Sequence, residues 1–84
     1  MNHKILVELW IPDIDKAYEI FIPINRKIGN IISLLAKALK EETHNEFLVT
    51  NRMLLYDGHS GNPYPIDVLV HETNIKHGSR IILM

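Results

Sequence analysis

Five histidines, at positions 3, 44, 59, 71 and 77 of this 84-residue sequence, are the side chains best suited to hold a metal or move a proton near neutral pH. Strong ligand sets place them four apart on one helix or beside cysteine pairs, and no pair here has that spacing. Asp57, His59 and Ser60 bring a carboxylate, an imidazole and a hydroxyl close together in sequence. A hydrolytic triad needs those groups to arrive from separate elements, so that base reaches nucleophile and orienter reaches base, and neighbours in one loop do not converge in that way. Gly58-His59-Ser60-Gly61 also lacks the lysine and following helix of a phosphate-binding loop, which leaves it a turn. With no cysteine anywhere, disulfides, thiolate nucleophiles and cysteine-based zinc sites are excluded. The expectation is a non-enzymatic chain with no catalytic, metal or cofactor site.

The elements that position these residues follow from hydrophobic period. Ile5, Val7, Leu9 and Ile11 alternate with Lys4, Leu6, Glu8 and Trp10, the two-residue period of a strand with one buried face. Pro12-Asp13-Ile14-Asp15 supplies a turn, and Tyr18, Ile20 and Ile22 form the second arm of a hairpin that Pro23 ends. The period then changes: Ile28, Ile31, Ile32, Leu35, Ala38 and Leu39 recur at spacings of three and four, predicting one amphipathic helix over roughly residues 27–42 with Asn25 as its N-cap. Lys27, Lys37 and Lys40 lie beside Glu41 and Glu42 in a solvated mixed face. Phe47-Leu48-Val49 fits either a strand stub or a core-filling loop, whereas Asn51 to Tyr56 reads as a strand. Asp57 to Pro63 is dense in turn formers, Ile66 to Ile75 is irregular with one helical turn, and Arg80 to Met84 is a final strand after Gly78.

A chain this short holds one core, so residues 1–84 are expected to form a single domain. Its 46% hydrophobic and 23% charged residues are those of a globular protein. A net charge of −1 argues against nucleic acid as a partner. Ile5-Leu6-Val7 is cut off by Glu8, too short for a signal sequence, and no run approaches the ~20 apolar residues that span a bilayer. Direct membrane insertion is not expected and the localisation expected is cytoplasmic. One helix against a mixed sheet of four or five strands gives an α+β, two-layer domain with the last strand beside the first.

That order resembles the ubiquitin-like β-grasp fold across essentially the whole chain. The likeness is carried by the apolar hairpin, Ile28 opening the helix, Arg52-Met53-Leu54-Leu55-Tyr56 running into Asp57-Gly58, and the close Ile75-x-x-Gly78-Ser79-x-Ile81-x-Leu83. Within that superfamily the Gly78-Ser79-Arg80-Ile81-Ile82-Leu83 ending is similar to that of the bacterial YukD/EsaB group, which is associated with type VII secretion in Gram-positive bacteria. The resemblance implies an accessory or regulatory role there, with cytosolic domains of a membrane secretion machine as partners. Ubiquitin and the sulfur carriers act through a flexible Gly-Gly tail, and this sequence ends Ile82-Leu83-Met84, so C-terminal conjugation is not expected.

If Ile5, Val7, Leu9, Tyr18, Ile20, Ile22, Met53, Leu55, Ile81 and Leu83 face the helix, alternation sends Leu6, Trp10, Phe21, Leu54, Ile82 and Met84 to the opposite side of the sheet. The expectation is a protein-docking patch of Leu6, Ile82 and Leu54, a second cluster of Trp10 and Phe21 near the hairpin end, and Arg52 and Arg80 flanking the patch from neighbouring strands. Phe47, Leu48 or the Ile66–Ile75 segment folding over that face would remove it. Self-association as a homodimer, through the same face or a sheet edge, is the alternative.

Overall fold

The structure is a computed structural model that describes residues 3–50 and 52–84. Strand β1, Lys4–Ile11, turns through a single 3₁₀ turn at Pro12–Ile14 into β2, Lys16–Pro23. Asp15 closes that turn in the left-handed conformation, φ 52°, and its N–H donates to Pro12 O at 3.1 Å. The hairpin is in full register from Lys4 opposite Pro23 to Ile11 opposite Lys16.

Helix α1, Ile28–Glu42, follows. Its N-cap is Lys27, not Asn25, and no side chain caps it. The first amides are met by backbone instead: Ile28 N–H donates to Val68 O and Gly29 N–H to Ile66 O, both at 2.9 Å. Helix amides need partners whatever their source, and here a segment forty residues downstream supplies them. Gly29 suits that approach, since a β-carbon there would stand 3.2 Å from Ile66 O. At the far end Thr43 Oγ1 donates to Leu39 O at 2.7 Å and accepts from Phe47 N–H at 3.1 Å. His44 and Asn45 both take positive φ, which stops the helix and swings Phe47 into the core.

Strand β3 spans Leu55–Asp57, shorter than the Asn51–Tyr56 strand expected. Asn51 lies outside the described residues. Met53 N–H donates to Thr50 O at 3.1 Å and Arg52 N–H to Thr50 Oγ1 at 3.3 Å, so the chain reaches the sheet only at Leu54. Irregular chain with a 3₁₀ turn at Val70–Glu72 leads to β4, Arg80–Leu83. The strand order is β2-β1-β4-β3, with β1 and β4 parallel, so the last strand lies beside the first. This mixed four-stranded sheet with one helix is the ubiquitin-like β-grasp architecture.

Alternation decides the core. Val7, Leu9, Ile11, Ile22, Leu55, Ile81 and Leu83 of the sheet are buried against Ile28, Ile31, Leu35 and Leu39 of α1, with Phe47, Val70 and Ile75 closing the gaps. Each such side chain contributes about 1.5–3 kcal/mol relative to exposure. Phe47 and Ile75 are core residues and Ile66 lies beside Gly29 on α1, so this part of the chain packs on the helix layer.

Candidate interaction surface

Register fixes how the outer side chains are grouped. Parallel pairing sets Glu8 opposite Arg80 and Trp10 opposite Ile82, and antiparallel pairing sets Tyr56 opposite Ile82. One row across the sheet therefore reads Ala17, Trp10, Ile82, Tyr56. Leu54 and Met84 exchange both backbone hydrogen bonds, at 2.9 and 3.2 Å, and extend that row at the β3 and β4 side. Trp10, Ile82, Tyr56 and Leu54 are half-buried, while Met84 is exposed.

Leu6 belongs elsewhere. It pairs with Phe21, and four residues of strand, about 13 Å, separate it from the Trp10 row. The expected Leu6, Ile82 and Leu54 patch and the expected Trp10 and Phe21 pair are thus exchanged: Trp10 joins Ile82 and Leu54, and Leu6 joins Phe21. Between the two groups Arg80 Nη2 meets Glu8 Oε1 at 2.9 Å, with both side chains substantially exposed, so the pair divides the face more than it stabilises it. Arg80 is therefore engaged within the chain. Arg52 is exposed in the turn before β3 rather than on a strand, at the rim beyond Leu54. Tyr56 is the member of the row that was not anticipated, although Leu54 facing out already places it, two residues on, on the same side.

Past the start of β4, β1 is flanked by a turn. Leu6 N–H donates to His77 Nδ1 at 3.1 Å, and Gly78 N–H, at φ 90°, donates to Leu6 O at 2.8 Å. His77 thus acts as a strand substitute. Among the described residues no group of three or more His, Cys, Asp and Glu could hold a metal ion.

The Asp57 loop is a knot of hydrogen bonds. His59 N–H donates to Asp57 Oδ1 at 2.9 Å, and Ser60 Oγ and Asn74 Nδ2 donate to Oδ2 at 3.1 and 2.9 Å. Tyr64 OH then donates to Asn74 Oδ1 at 2.8 Å. The Asn74 amide, followed by the His59 backbone N–H, holds the Asp57 carboxyl below its ordinary range. Partial burial, and secondarily the Asp57 charge, push the Tyr64 phenol up to about 12. Ser60 Oγ donates its hydrogen bond to the carboxylate directly and His59 contributes its backbone N–H, so the three residues build a turn and not a nucleophile with its base.

No family model matches the chain, and no curated protein matches it. Its fold is similar to that of a chain in the MycP5-free ESX-5 inner membrane complex, State II, with a TM-score of 0.80 and 15% identity over 99% of this chain and 21% of that one. It is likewise similar to the EccD5 ubiquitin-like domain from Mycobacterium xenopi, with a TM-score of 0.80 and 16% identity over 99% of this chain and 94% of that one. The ubiquitin-like domain of the Mycobacterium tuberculosis type VII secretion system protein EccD1 gives 0.75 and 13% over 100% and 99%. The chain spans about a fifth, 21%, of the ESX-5 chain it matches. At these identities the likeness shows the ubiquitin-like fold.

Proposed function

We propose that this chain is a non-catalytic docking module whose outer sheet face binds another protein, in the setting of a Gram-positive type VII secretion system. The observation that carries the reading is the row of Trp10, Ile82 and Tyr56 with Leu54 and Met84 beside it, on the side of the sheet away from the helix. Covering apolar surface returns about 25 cal/mol per Å², before the costs of association. The division of the face by Glu8 and Arg80 makes this row the anchor, with Leu6 and Phe21 a separate contact. Likeness to EccD ubiquitin-like domains supports the secretion setting and a partner among the machine's cytosolic domains. No helix among the described residues is long and apolar enough to cross a membrane, so membrane association through such a partner fits better than insertion.

Capture of purified cytosolic domains of the secretion machine tests this. Ile82→Asp and Met84→Asp, each checked for an intact fold by circular dichroism, are expected to weaken capture at least about tenfold, in line with the loss of a buried apolar anchor. Undiminished capture by both variants removes the outer face from the function.

A further inference from the structure

A second apolar surface lies away from the Trp10 row, at the corner where β2 gives way to α1. A cavity of about 530 Å³ opens there, and its lining includes Lys4, Phe21, Arg26 and Leu34 and no carboxylate. Phe21 and Leu34 are 61% and 47% exposed, so each leaves apolar surface in water beside the cations. Arg26 has no ion pair among the described residues. Lys27 follows it in sequence, and Lys37 lies one turn beyond Leu34 on α1, both of them exposed. The nearest acids along these two elements are Glu19, two residues before Phe21 on β2, and Glu41, two turns beyond Leu34 on α1. Glu72 belongs to the segment that bonds to the backbone of Ile24 and Arg26, and its Oε1 is taken by Leu69 N–H at 2.9 Å.

We propose that this corner rests on the surface of an anionic lipid bilayer, with Phe21 and Leu34 at the acyl boundary and Lys4, Arg26, Lys27 and Lys37 among the phosphates. The contact lies on the bilayer without crossing it, and it does not depend on the Trp10 row. A headgroup layer offers negative charge immediately above hydrocarbon, which is the pairing that exposed apolar side chains beside cations require. Long cationic stems reach from that boundary to the phosphates while their methylenes stay within it. Charge and hydrocarbon are both continuous across a bilayer, so Phe21 on β2 and Leu34 on α1 are covered together without any matching partner sequence. The net charge of −1 gives the whole chain no attraction to an anionic surface, and its distribution therefore sets the orientation. Glu19 and Glu41 bound the footprint, which keeps the Trp10 row clear of the lipid.

The test is co-sedimentation of the chain with vesicles of phosphatidylcholine alone and of phosphatidylcholine with an equal part of phosphatidylglycerol. Binding is expected only to the vesicles that carry phosphatidylglycerol, with release at about 0.5 M salt, where charges are screened within a few ångströms. Arg26→Glu removes one positive charge and adds a negative one, and is expected to weaken binding about tenfold or more. Phe21→Ser and Leu34→Ser, both at exposed positions and checked for an intact fold by circular dichroism, are each expected to weaken it about fivefold. Ile82→Asp is expected to bind vesicles like the parent chain, which separates this surface from the proposed protein-docking row. A soluble oligo-aspartate peptide at the same charge concentration is expected not to displace the chain from the vesicles. The proposal is overturned by absence of sedimentation at millimolar lipid, by equal binding to phosphatidylcholine alone, or by undiminished binding of Arg26→Glu, Phe21→Ser and Leu34→Ser. Loss of binding in Ile82→Asp also overturns it, as does displacement by the aspartate peptide, which would make an acidic protein segment the occupant.

Discussion

Along its β3 edge the sheet is closed by its own chain, with Asp57 N–H on Asn62 O at 2.8 Å and Tyr64 N–H on Leu55 O at 2.9 Å. Along its β2 edge no segment among the described residues does the same, and Lys16, Glu19 and Pro23 line that edge. Both edges pose one problem, since a row of unpaired backbone groups invites any extended chain. The β3 edge answers it with structure, the Asp57 knot holding the covering loop in place. The β2 edge answers it with charges and a proline whose missing N–H falls on the outward side, a barrier to indiscriminate pairing that leaves selective pairing open.

The closed edge should break first at Gly58. A β-carbon there would lie 2.6 Å from Arg80 Cγ and 2.7 Å from Arg80 O, and a carbonyl in a sheet cannot swing aside as a side chain can. Gly58→Ala is therefore expected to cost about 2 kcal/mol by overpacking, or roughly 10 °C in Tm for a domain of this size. A thermal melt within a degree or two of the parent would show that the corner where β3 meets β4 is softer than its contacts imply.

The knot itself should be worth less and should depend on pH. Asn74→Ala removes the bond from Asn74 to Asp57 and the acceptor of Tyr64 OH, and is expected to lower Tm by roughly 5 °C at neutral pH. Asp57 has its pKa lowered in the folded chain, so its contribution is present above the ordinary carboxylate value and is lost as pH falls below it. The gap between parent and variant should thus narrow as pH falls below about 4, leaving the part that the Tyr64 bond supplies. A gap that stays constant into acid would mean that the Asn74 amide supports the loop without the Asp57 charge.

Much of this fold could be read from side-chain type. Ile5, Val7 and Leu9 against Glu8, and Ile28, Ile31 and Leu35 at helical spacing, announce the hairpin and the helix because their period is local. The grouping of the outer residues could not be read, because Trp10 meets Ile82 only through a parallel register that the turn at 76–79 sets, and no local period encodes it. The N-cap failed for a related reason. Asn25 is a good cap by type, but backbone carbonyls of Ile66 and Val68 reach the helix first, and a carbonyl leaves no mark in the sequence. The pocket at the end of β2 leaves no local mark either, because Phe21, Leu34 and Arg26 lie on β2, on α1 and between the two, and only the fold brings them together.

The smallest effect expected is at the open edge itself. Glu19→Pro deletes an N–H that points to solvent, so it breaks no bond within the chain, and edge positions tolerate proline. Its cost should stay well under that of Gly58→Ala. Exchange in the parent chain sharpens the contrast without any substitution: Asp57 and Tyr64 amides, bonded to Asn62 O and Leu55 O, should be protected, while those of Ala17, Glu19 and Phe21 should exchange nearly as fast as in an unstructured peptide. Protection at Ala17, Glu19 and Phe21 in the isolated monomer would mean that something already covers this edge. If that protection instead rises with protein concentration, the cover is a second copy pairing β2 to β2, and Glu19→Pro, which removes the central donor, should abolish it.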